Sequence, residues 1–403
     1  MADLKSFRAW RPHSEHAKEV ACVPYDVVNS TEAKELSKGK PNSFLHVIRP
    51  EIDLPENISL YDTKVYEKGS ENLKKLLKSD FFQQEDSDSV YIYQLIMDGR
   101  SQTGIFGCVS VDDYNNDVIL KHELTRPAKE DDRTKHIITQ QAHAEPVMVT
   151  FRDPGDVNAF MNSHMQAHDP IYEIETEDGI KHTIWKVEET DELENTFGNI
   201  PKLYIADGHH RCASASRAAK EMEAQNSGHT GNEEYNFFPA VLFPMDQMEI
   251  LAYNRIVYSI PNGFLNTLKQ QFDLDEGASA VPHKKGTISL YTNGSWYGLT
   301  LPESNNDDVA SSLDVARLQE HILEPLLGIK DQRTDSNIDF VGGIKGTAEL
   351  ESLVDKGETQ LAISLYPTSI EELLDVSDAG LLMPPKSTWF EPKLRSGLLI
   401  HTF

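Results

Sequence analysis

Cysteines and long apolar runs are scarce in this chain. Cys22, Cys108 and Cys212 are the three cysteines among 403 residues, and no CxxC spacing relates them. An odd number without paired spacing argues against a disulfide framework and against a zinc ribbon. No apolar run approaches the roughly 20 residues that a membrane-spanning helix needs, and residues 1–20 contain no apolar core of a secretion signal. We therefore expect a cytoplasmic protein with no membrane partner.

Basic residues are also few. The chain has 38 Lys and Arg against 65 Asp and Glu, a formal net charge of −27. Such a field repels the phosphate backbone of nucleic acids, so nucleic acid is not an expected partner. Hydrophobic residues make up 39% and charged residues 26%, the balance of a folded globular chain rather than a disordered one.

Strand and helix patterns follow one another irregularly rather than in βαβ units, which predicts the α+β class. Short apolar runs predict buried strands at 20–23 and 44–48, and Ser30 or Thr31 is expected to cap a helix between them. The charged segment 121–133 is expected to begin as a helix. Hairpins are predicted at turns that contain Asp-Gly or Asn-Gly, a favoured hairpin sequence: Asp98-Gly99, Asp178-Gly179 and Asn293-Gly294.

The length of the chain favours two domains. Composition changes near Met248, where a buried strand pattern ends and polar stretches become frequent. We expect a first domain at 1–247 and an additional α+β domain at 248–403. No internal repeat at solenoid or propeller spacing is present.

The segment "LYIADGHHRCASASRAAKEM" (203–222) predicts a strand, a turn and an alanine-rich helix. In one interpretation Asp207 is only the helix N-cap. In the other, the basic residues 209–211 lie at the positive end of the helix dipole, which costs about 0.3–1 kcal/mol for each charged group. Backbone amides of a helix start, with an arginine beside them, form a natural phosphate site. In this second interpretation the start of the helix, with Arg211 beside it, is a phosphate site that lacks its negative partner.

Zinc and Mg²⁺ are the two candidate metals for this turn. His209 and His210 are adjacent in the chain, and no HExxH pattern accompanies the pair His164 and His168, so zinc is disfavoured. Mg²⁺ needs only one or two carboxylates in addition to the phosphate oxygens of a substrate. The expected cofactor is therefore Mg²⁺, with Asp207 as its protein ligand.

The second group of polar residues is "KHELTRPAKEDDR" (121–133). It reads either as a solvated charged helix or as part of a site at an element boundary, where catalytic residues often lie. In the second case Glu123 is a candidate general base. His122, Arg126 and Arg133 are then candidate phosphate-binding residues.

The third group is "MPPKSTWFEPK" near the end of the chain, in which Lys386, Ser387 and Thr388 lie together between prolines. No GxxxxGK[ST] loop precedes them, so the segment is not a Walker A site. It is either a rigid surface turn or an additional contributor to phosphate binding.

With these residues in view, the chain resembles a bacterial family known as domain of unknown function 1015, over nearly its whole length. Several long motifs in the right order make the resemblance specific. They are "VPYDVVN", "SFLHVIRPE", "KHELT" with "DDR", "ADGHHR", "RTDSNIDFVGG" and "MPPKSTWFEPK".

Over a few residues, "DGHHR" also resembles the DGH-x-R signature of the ParB/sulfiredoxin-like fold, which includes sulfiredoxins, ParB-type CTPases and free-serine kinases. The resemblance implies a ParB/sulfiredoxin-like mixed sheet with helices. It also implies that a phosphate or a nucleotide, namely ATP, ADP or CTP, is held at the helix start by Gly208, His209, His210 and Arg211. His209 stands where sulfiredoxins have their cysteine, so peroxiredoxin repair is not expected. In the kinase branch an upstream acid activates the substrate hydroxyl, and Glu123 is the candidate here.

These expectations combine into one function. The chain is expected to be a nucleotide-dependent phosphotransferase or nucleotide hydrolase that acts on a small hydroxyl metabolite, with serine suggested by the kinase resemblance. Glu123, Asp207 and His209 are the catalytic candidates. The alternative is a nucleotide-sensing switch without catalysis. Expected partners are the nucleotide and the small-molecule substrate, and a homodimer is the candidate assembly.

Overall fold

The computed structural model describes residues 1–403 and contains two compact units, Met1–Met248 with Pro392–Phe403, and Glu249–Glu391. Both units combine helices with mixed or antiparallel sheets, which confirms the predicted α+β class. The division proposed from the sequence assigned 392–403 to the second domain, whereas these residues belong to the first unit. No helix has the length and apolar character that crossing a bilayer requires.

The first unit is built around a nine-stranded mixed sheet. The strands of the whole unit up to residue 244 are β1 (Leu4–Lys5), β2 (Trp10–Pro12), β3 (Phe82–Gln84), β4 (Val90–Met97), β5 (Arg100–Ser110), β6 (Ile119–Leu120), β7 (Ala142–His143), β8 (Val147–Phe151), β9 (Tyr172–Glu175), β10 (Lys181–Val187), β11 (Leu203–Asp207) and β12 (Phe237–Pro244). Of these, β2, β3 and β7 lie outside the nine-stranded sheet. The order across the sheet is β6-β11-β8-β12-β5-β4-β10-β9, and β1 also pairs with β5. β11 is parallel to β6 and antiparallel to β8.

The helices of this unit precede, connect and cover the strands. They are α1 (Ala17–Val20), α2 (Ser30–Leu36), α3 (Leu45–Ile48), α4 (Thr63–Leu77), α5 (Val111–Asn115), α6 (Pro127–Gln140), α7 (Asp156–Ala167), α8 (Asp191–Phe197) and α9 (His209–Glu223). The small side chains Cys212, Ala215 and Ala219 of α9 lie in the same core as Val149 and Ile205 of the sheet. The alanine-rich face thus allows α9 to pack closely on the strands that position its start.

Several local predictions are confirmed and others are wrong. Helix α2 and all three hairpins are present, although the N-cap of α2 is Asn29, which forms a capping box with Glu32. The predicted strands at 20–23 and 44–48 are wrong, because α1 ends at Val20 and α3 covers most of the second run. A short apolar run shows no periodicity that separates a buried strand from a buried helical turn. Residues 121–126 form a loop, and the helix begins only at Pro127, a residue suited to the first turn.

The second unit has its own sheets and helices. Its strands are β13 (Ile250–Leu251), β14 (Tyr253–Val257), β15 (Asp275–Glu276), β16 (Thr287–Thr292), β17 (Ser295–Thr300), β18 (Ile338–Gly342), β19 (Leu361–Leu365) and β20 (Trp389–Phe390), and its helices are α10 (Phe264–Gln271), α11 (Asp314–Leu318), α12 (Glu324–Leu327), α13 (Gly346–Asp355) and α14 (Ile370–Asp378). Six strands form an antiparallel sheet in the order β15-β17-β16-β19-β14-β18.

The chain returns to the first unit in its last twelve residues, 392–403. This terminal segment pairs with Cys22 through Ser396, with Trp10 through Ile400, and with β7 through β21 (His401–Thr402). Gly397 has a φ of +89°, and a Cβ there would lie 2.7 Å from Cβ of Phe44. Only glycine satisfies both the backbone angle and this close approach.

Candidate functional site

The centre of the candidate site is the turn between β11 and α9. Asp207 is the last residue of β11, beside a register irregularity, and Gly208 is the N-cap of α9 with a φ of +106°. Because the N-cap is a glycine, no N-cap side chain accepts a hydrogen bond from the backbone amides at the helix start. The interpretation of Asp207 as the N-cap is therefore wrong, and its carboxylate is directed to other partners.

Arg211 lies in the first turn of α9, with only 8% of its surface exposed. One terminal nitrogen donates to the carbonyl of Pro146, while Nε is buried without a hydrogen-bond partner. Burial lowers the pKa of Arg211, but the carboxylates of Asp207, Asp26 and Glu145 more than offset burial, so the pKa is raised overall. The guanidinium is therefore a permanent positive charge with an unused donor at the helix start.

Asp207 is paired with two cations. Its Oδ2 lies 3.1 Å from Nζ of Lys393 and 3.7 Å from a terminal nitrogen of Arg211. Burial raises the pKa of the carboxyl, but Lys393 and Arg211 overcome burial and leave the pKa well below its usual range. Asp207 is thus ionised, and Lys393, which comes from the terminal segment, is part of the site.

Two buried histidines connect the turn to the loop at 121–126. The backbone N–H of His122 donates to Nε2 of His209 over 3.4 Å, and the two rings meet edge to face at 4.4 Å. Burial lowers the pKa of His122 to about 4, and burial together with His122 lowers that of His209. Both rings are therefore neutral at neutral pH, so His209 does not incur the cost that a charged group would have at the helix start.

A second helix start lies beside the first. The backbone N–H of Arg126, the N-cap of α6, donates to Nε2 of His210 over 3.0 Å. Burial and then the charge of Lys129 lower the pKa of His210. The pKa of Lys129 is itself lowered by burial, and the cations Arg133 and Arg126 contribute to this lowering. The starts of α6 and α9 thus concentrate positive charge in a strongly acidic chain.

The N-terminal motif "VPYDVVN" forms one side of this cluster. The N–H of Tyr25 donates to Oε1 of Glu145 over 2.9 Å, and the guanidinium carbon of Arg133 lies 4.2 Å from the centre of the Tyr25 ring. Burial raises the pKa of Glu145, although Arg211 and Arg133 act in the opposite direction. Asp26 follows in the chain with an exposed side chain. The sequence motif supports the family resemblance but does not predict that Tyr25, Asp26 and Glu145 lie beside the turn 207–211.

A small cavity of about 40 Å³ adjoins the cluster. Its polar lining is formed by Arg133, His136, Gln140, His143, Glu145 and Arg211. The volume holds small polar groups and is far below the several hundred cubic ångströms that pockets for drug-sized ligands occupy. A nucleotide bound at this turn would therefore have to lie on the solvent-facing side of the helix start, because this cavity is too small to hold it.

The predicted site residues divide into two groups. His122, Arg126, Arg133 and the turn 207–211 lie together in the first unit, and Glu123 follows His122 in the same loop with a half-buried side chain. Lys386, Ser387 and Thr388 lie in the second unit. There Oγ of Ser387 donates to the carbonyl of Pro384 over 2.6 Å. A contribution of this segment to phosphate binding stays a prediction.

Several solved structures are similar to this chain. A free serine kinase in complex with AMP has a TM-score of 0.39 and 13% sequence identity, and the match covers 73% of this chain and 91% of that chain. SbnI with a C-terminal truncation, from Staphylococcus aureus, has a TM-score of 0.38 and 14% identity, with coverages of 73% and 87%. A conserved hypothetical protein from Pyrococcus furiosus has a TM-score of 0.36 and 13% identity, with coverages of 73% and 95%.

Sequence comparison connects the chain to a family. No curated protein matches it with significance. The model of a family described as protein of unknown function, DUF1015, matches residues 4–316, a span that contains the loop 121–126, the helix starts of α6 and α9 and the whole of the turn 207–211. The resemblance identified in the sequence motifs is thereby confirmed, and the chain belongs to the DUF1015 family.

Proposed function

We propose that this protein binds a nucleotide at the start of α9 and transfers its terminal phosphoryl group to a small hydroxyl metabolite or to water. The observation that carries the proposal is Arg211, a buried permanent cation whose Nε has no hydrogen-bond partner at an uncapped helix start. A buried donor without an acceptor is costly. A phosphate oxygen at the helix start would accept from the guanidinium and from backbone amides together.

The neighbouring charges support a ligand with more than one negative group. Arg126 is the N-cap of α6 and Lys129 lies in its first turn, where basic residues oppose the helix dipole. Arg133 is one turn further along the same helix, and Lys129 and Arg133 share the ring of Tyr25, at 5.9 and 4.2 Å. Arg133 is paired with Asp132 at 2.7 Å, whereas Arg126 and Lys129 repel each other. An anion bound beside Arg126 and Lys129 relieves this repulsion. A nucleotide with several phosphates meets this requirement, and ATP, ADP and CTP are the candidates.

Phosphoryl transfer depends mainly on positioning and charge neutralisation, which clustered basic groups and helix amides supply. The acceptor hydroxyl also needs a base. Glu123 is the proposed base, because its loop is joined to the nucleotide turn through His122 and His209. Asp26 is the competing carboxylate, because it is exposed and its charge acts on Arg211. Serine is the acceptor to be tested first.

His209 and Asp207 serve the site in different ways under this proposal. The neutral ring of His209 accepts the N–H of His122 and holds the loop of the proposed base against the turn. Asp207 orients two cations, Lys393 and Arg211, toward the helix start. Both are positioning residues rather than groups that exchange protons with the substrate.

The residues present do not form a protein-held site for Mg²⁺. No group of three or more His, Cys, Asp or Glu side chains is arranged to hold a metal ion. Asp207, the predicted ligand, already has Lys393 and Arg211 within 4 Å of its Oδ2. We therefore assign no step of the reaction to an ion held by the protein.

The test is a comparison of binding with turnover in the full chain. ATP, ADP and CTP are titrated by calorimetry with and without Mg²⁺, and the same mixtures with and without serine are analysed for nucleotide products and phosphoserine. We expect micromolar binding of at least one nucleotide and product formation with it. Binding without product under every condition would leave the nucleotide-sensing switch as the function. Absence of binding would remove the nucleotide site itself.

A further inference from the structure

The ion pair between Lys393 and Asp207 joins residues 186 positions apart in the chain. Nζ and Oδ2 lie 3.1 Å apart, and the side chains are 14% and 25% exposed. A fully buried ion pair is out of reach of a ligand, and a fully exposed ion pair contributes little to the stability of the fold. A pair at intermediate exposure, beside the unpartnered Nε of Arg211, is accessible to a ligand that binds at the start of α9.

The backbone around Lys393 is held in place by its neighbours. Arg395 forms an ion pair with Asp178 and donates to Oγ1 of Thr176 over 3.1 Å. Ser396 exchanges backbone hydrogen bonds of 2.9 and 3.2 Å with Cys22. Gly397 follows directly, packed against Phe44. Three consecutive anchors beyond Leu394 therefore fix the approach of Lys393 to the turn, so the ammonium group has a defined position.

We propose that Lys393 binds the ligand, bridging Asp207 and a phosphate oxygen at the start of α9, in the place where a divalent ion would otherwise be required. The proposal rests on the nucleotide site proposed above and adds a ligand-binding residue from the end of the chain. An ammonium group has three N–H donors, so a lysine that donates to Asp207 can donate to a phosphate oxygen as well. As a compact point charge, it suits this role.

The same geometry changes the expected role of a metal. With Lys393 and Arg211 both close to Oδ2, the charge of Asp207 is compensated by two cations. A divalent ion at this carboxylate would be repelled by both cations and would have to displace Lys393. Nucleotide binding by the native protein should therefore persist in a chelator. Removal of Lys393 should release Asp207 for Mg²⁺ and make binding dependent on the ion.

The experiment measures the affinity of the full chain for ATP and ADP in EDTA and in Mg²⁺. The variants are Lys393→Met, Lys393→Arg, and Lys393→Met combined with Asp207→Asn, which removes both charges and avoids an unpaired carboxylate. The matched control is Lys186→Met, since Lys186 is 18% exposed and pairs with Glu85 at 2.7 Å in the same unit. Circular dichroism and thermal unfolding establish that each variant is folded.

We expect Lys393→Met to weaken binding about tenfold or more in EDTA and Mg²⁺ to restore most of the loss. Lys393→Arg should keep binding in EDTA, the double variant should lose binding in both buffers, and Lys186→Met should match the native protein. Equal binding by the native protein and Lys393→Met in EDTA would overturn this inference and leave the nucleotide site standing. Loss of nucleotide binding by the native protein in EDTA, with binding retained in Mg²⁺, would also overturn this inference and leave the nucleotide site standing. No binding by the native protein in either buffer would overturn the proposed function and this inference with it.

Discussion

The backbone N–H of Arg126 donates to Nε2 of His210 over 3.0 Å, and this bond joins the starts of two helices. Arg126 is the N-cap of α6 and His210 lies in the first turn of α9. Further along, Oγ of Ser214 donates to the carbonyl of Glu130 over 3.2 Å. The two groups of polar residues noticed in the sequence, 121–133 and 207–211, are therefore parts of one surface.

The bond also constrains the tautomer of His210. Because Nε2 accepts a hydrogen bond, a neutral ring carries its proton on Nδ1. Burial and Lys129 lower the pKa of this ring, so the neutral form is favoured. A ligand phosphate at the turn would therefore meet a neutral His210, and the positive charge is supplied by Arg211, Lys393 and the basic side chains of α6.

Replacement of Arg211 should weaken nucleotide binding, and the loss should be larger for alanine than for lysine. Arg211→Lys keeps a positive charge but removes Nε and the planar guanidinium, so we expect affinity for ATP or ADP to fall about tenfold or more. Arg211→Ala should lose binding and also destabilise the fold by about 3–5 kcal/mol, because Asp207 and Glu145 lose a buried partner. Calorimetry and urea unfolding measure the two effects.

Arg217→Ala is the matched control for this prediction. Arg217 is on the same helix, but its side chain is 40% exposed and pairs with Glu130 at 3.5 Å rather than with the turn. Its replacement should leave nucleotide affinity within about twofold and change stability by less than about 1 kcal/mol. Unchanged affinity in Arg211→Lys and in Arg211→Ala would contradict the assignment of Arg211 to the phosphate site.

The two carboxylates that compete for the role of base should separate in turnover. Glu123→Gln is nearly isosteric and removes the base, so we expect nucleotide affinity to persist and product formation to fall about a hundredfold or more. Asp26→Asn removes a negative charge beside Arg211 and Lys129. That change should strengthen anion binding and leave turnover in place. Reversal of the two turnover results would make Asp26 the base.

Local elements of the site could be predicted where the sequence pattern itself is local. Apolar residues 203–206, a glycine and an alanine-rich run predict a strand, a turn and a helix, and the structure has β11, Gly208 and α9 in that order. The runs at 20–23 and 44–48 were misassigned, because short apolar segments of a buried helix and of a strand share the same composition. Their burial was correct, since Val20, Phe44 and Leu45 belong to one core cluster.

The partners of Asp207 could not be predicted, because they depend on contacts distant in sequence. No periodicity relates Asp207 to Lys393, and the motif "MPPKSTWFEPK" gives no sign that its last lysine reaches this turn. The charge state of the histidines depends on distant contacts in the same way. The sequence places His209 at a helix start, but only the packing of His122 and its loop shows that the ring is buried. Burial of this kind becomes visible only once the elements are assembled.

Stability should fall in moderately acidic solution because His122 is buried in its neutral form. Burial lowers its pKa from 6.5 to about 4, so the unfolded chain binds a proton at a higher pH than the folded protein. The contribution of the neutral His122 ring to the free energy of unfolding is at most about 3 kcal/mol. It is fully present above pH 6.5 and is lost as the pH falls toward about 4. His122→Asn should be less sensitive to pH over this range in urea unfolding.

The exposed His168 provides a control for this measurement. His168→Asn should stay close to the native pH dependence, because its side chain is exposed and its ring stacks on His164 at the surface rather than on the buried His122. The raised pKa of the buried Glu145 acts in the opposite direction at low pH, and it is common to all three proteins. Equal loss of stability by the native protein and by His122→Asn would contradict the assignment of this dependence to His122.

Gly208 and Gly155 offer a comparison between a glycine that serves the site and one that serves only a turn. Both are N-caps in the left-handed region, with φ of +106° before α9 and +112° before α7. A Cβ at Gly208 would lie 3.0 Å from Nε of Arg211, whereas a Cβ at Gly155 would have no neighbour within 4 Å.

Gly155→Ala should therefore lower the free energy of unfolding only by the backbone term, which is the cost of the left-handed conformation for alanine, about 1–2 kcal/mol. It should leave nucleotide affinity unchanged. Gly208→Ala should cost the same backbone term and in addition displace the guanidinium, so affinity should fall about tenfold or more. Unfolding in urea and calorimetric titration measure the two quantities, and equal affinities in the two variants would show that Gly208 positions nothing for the ligand.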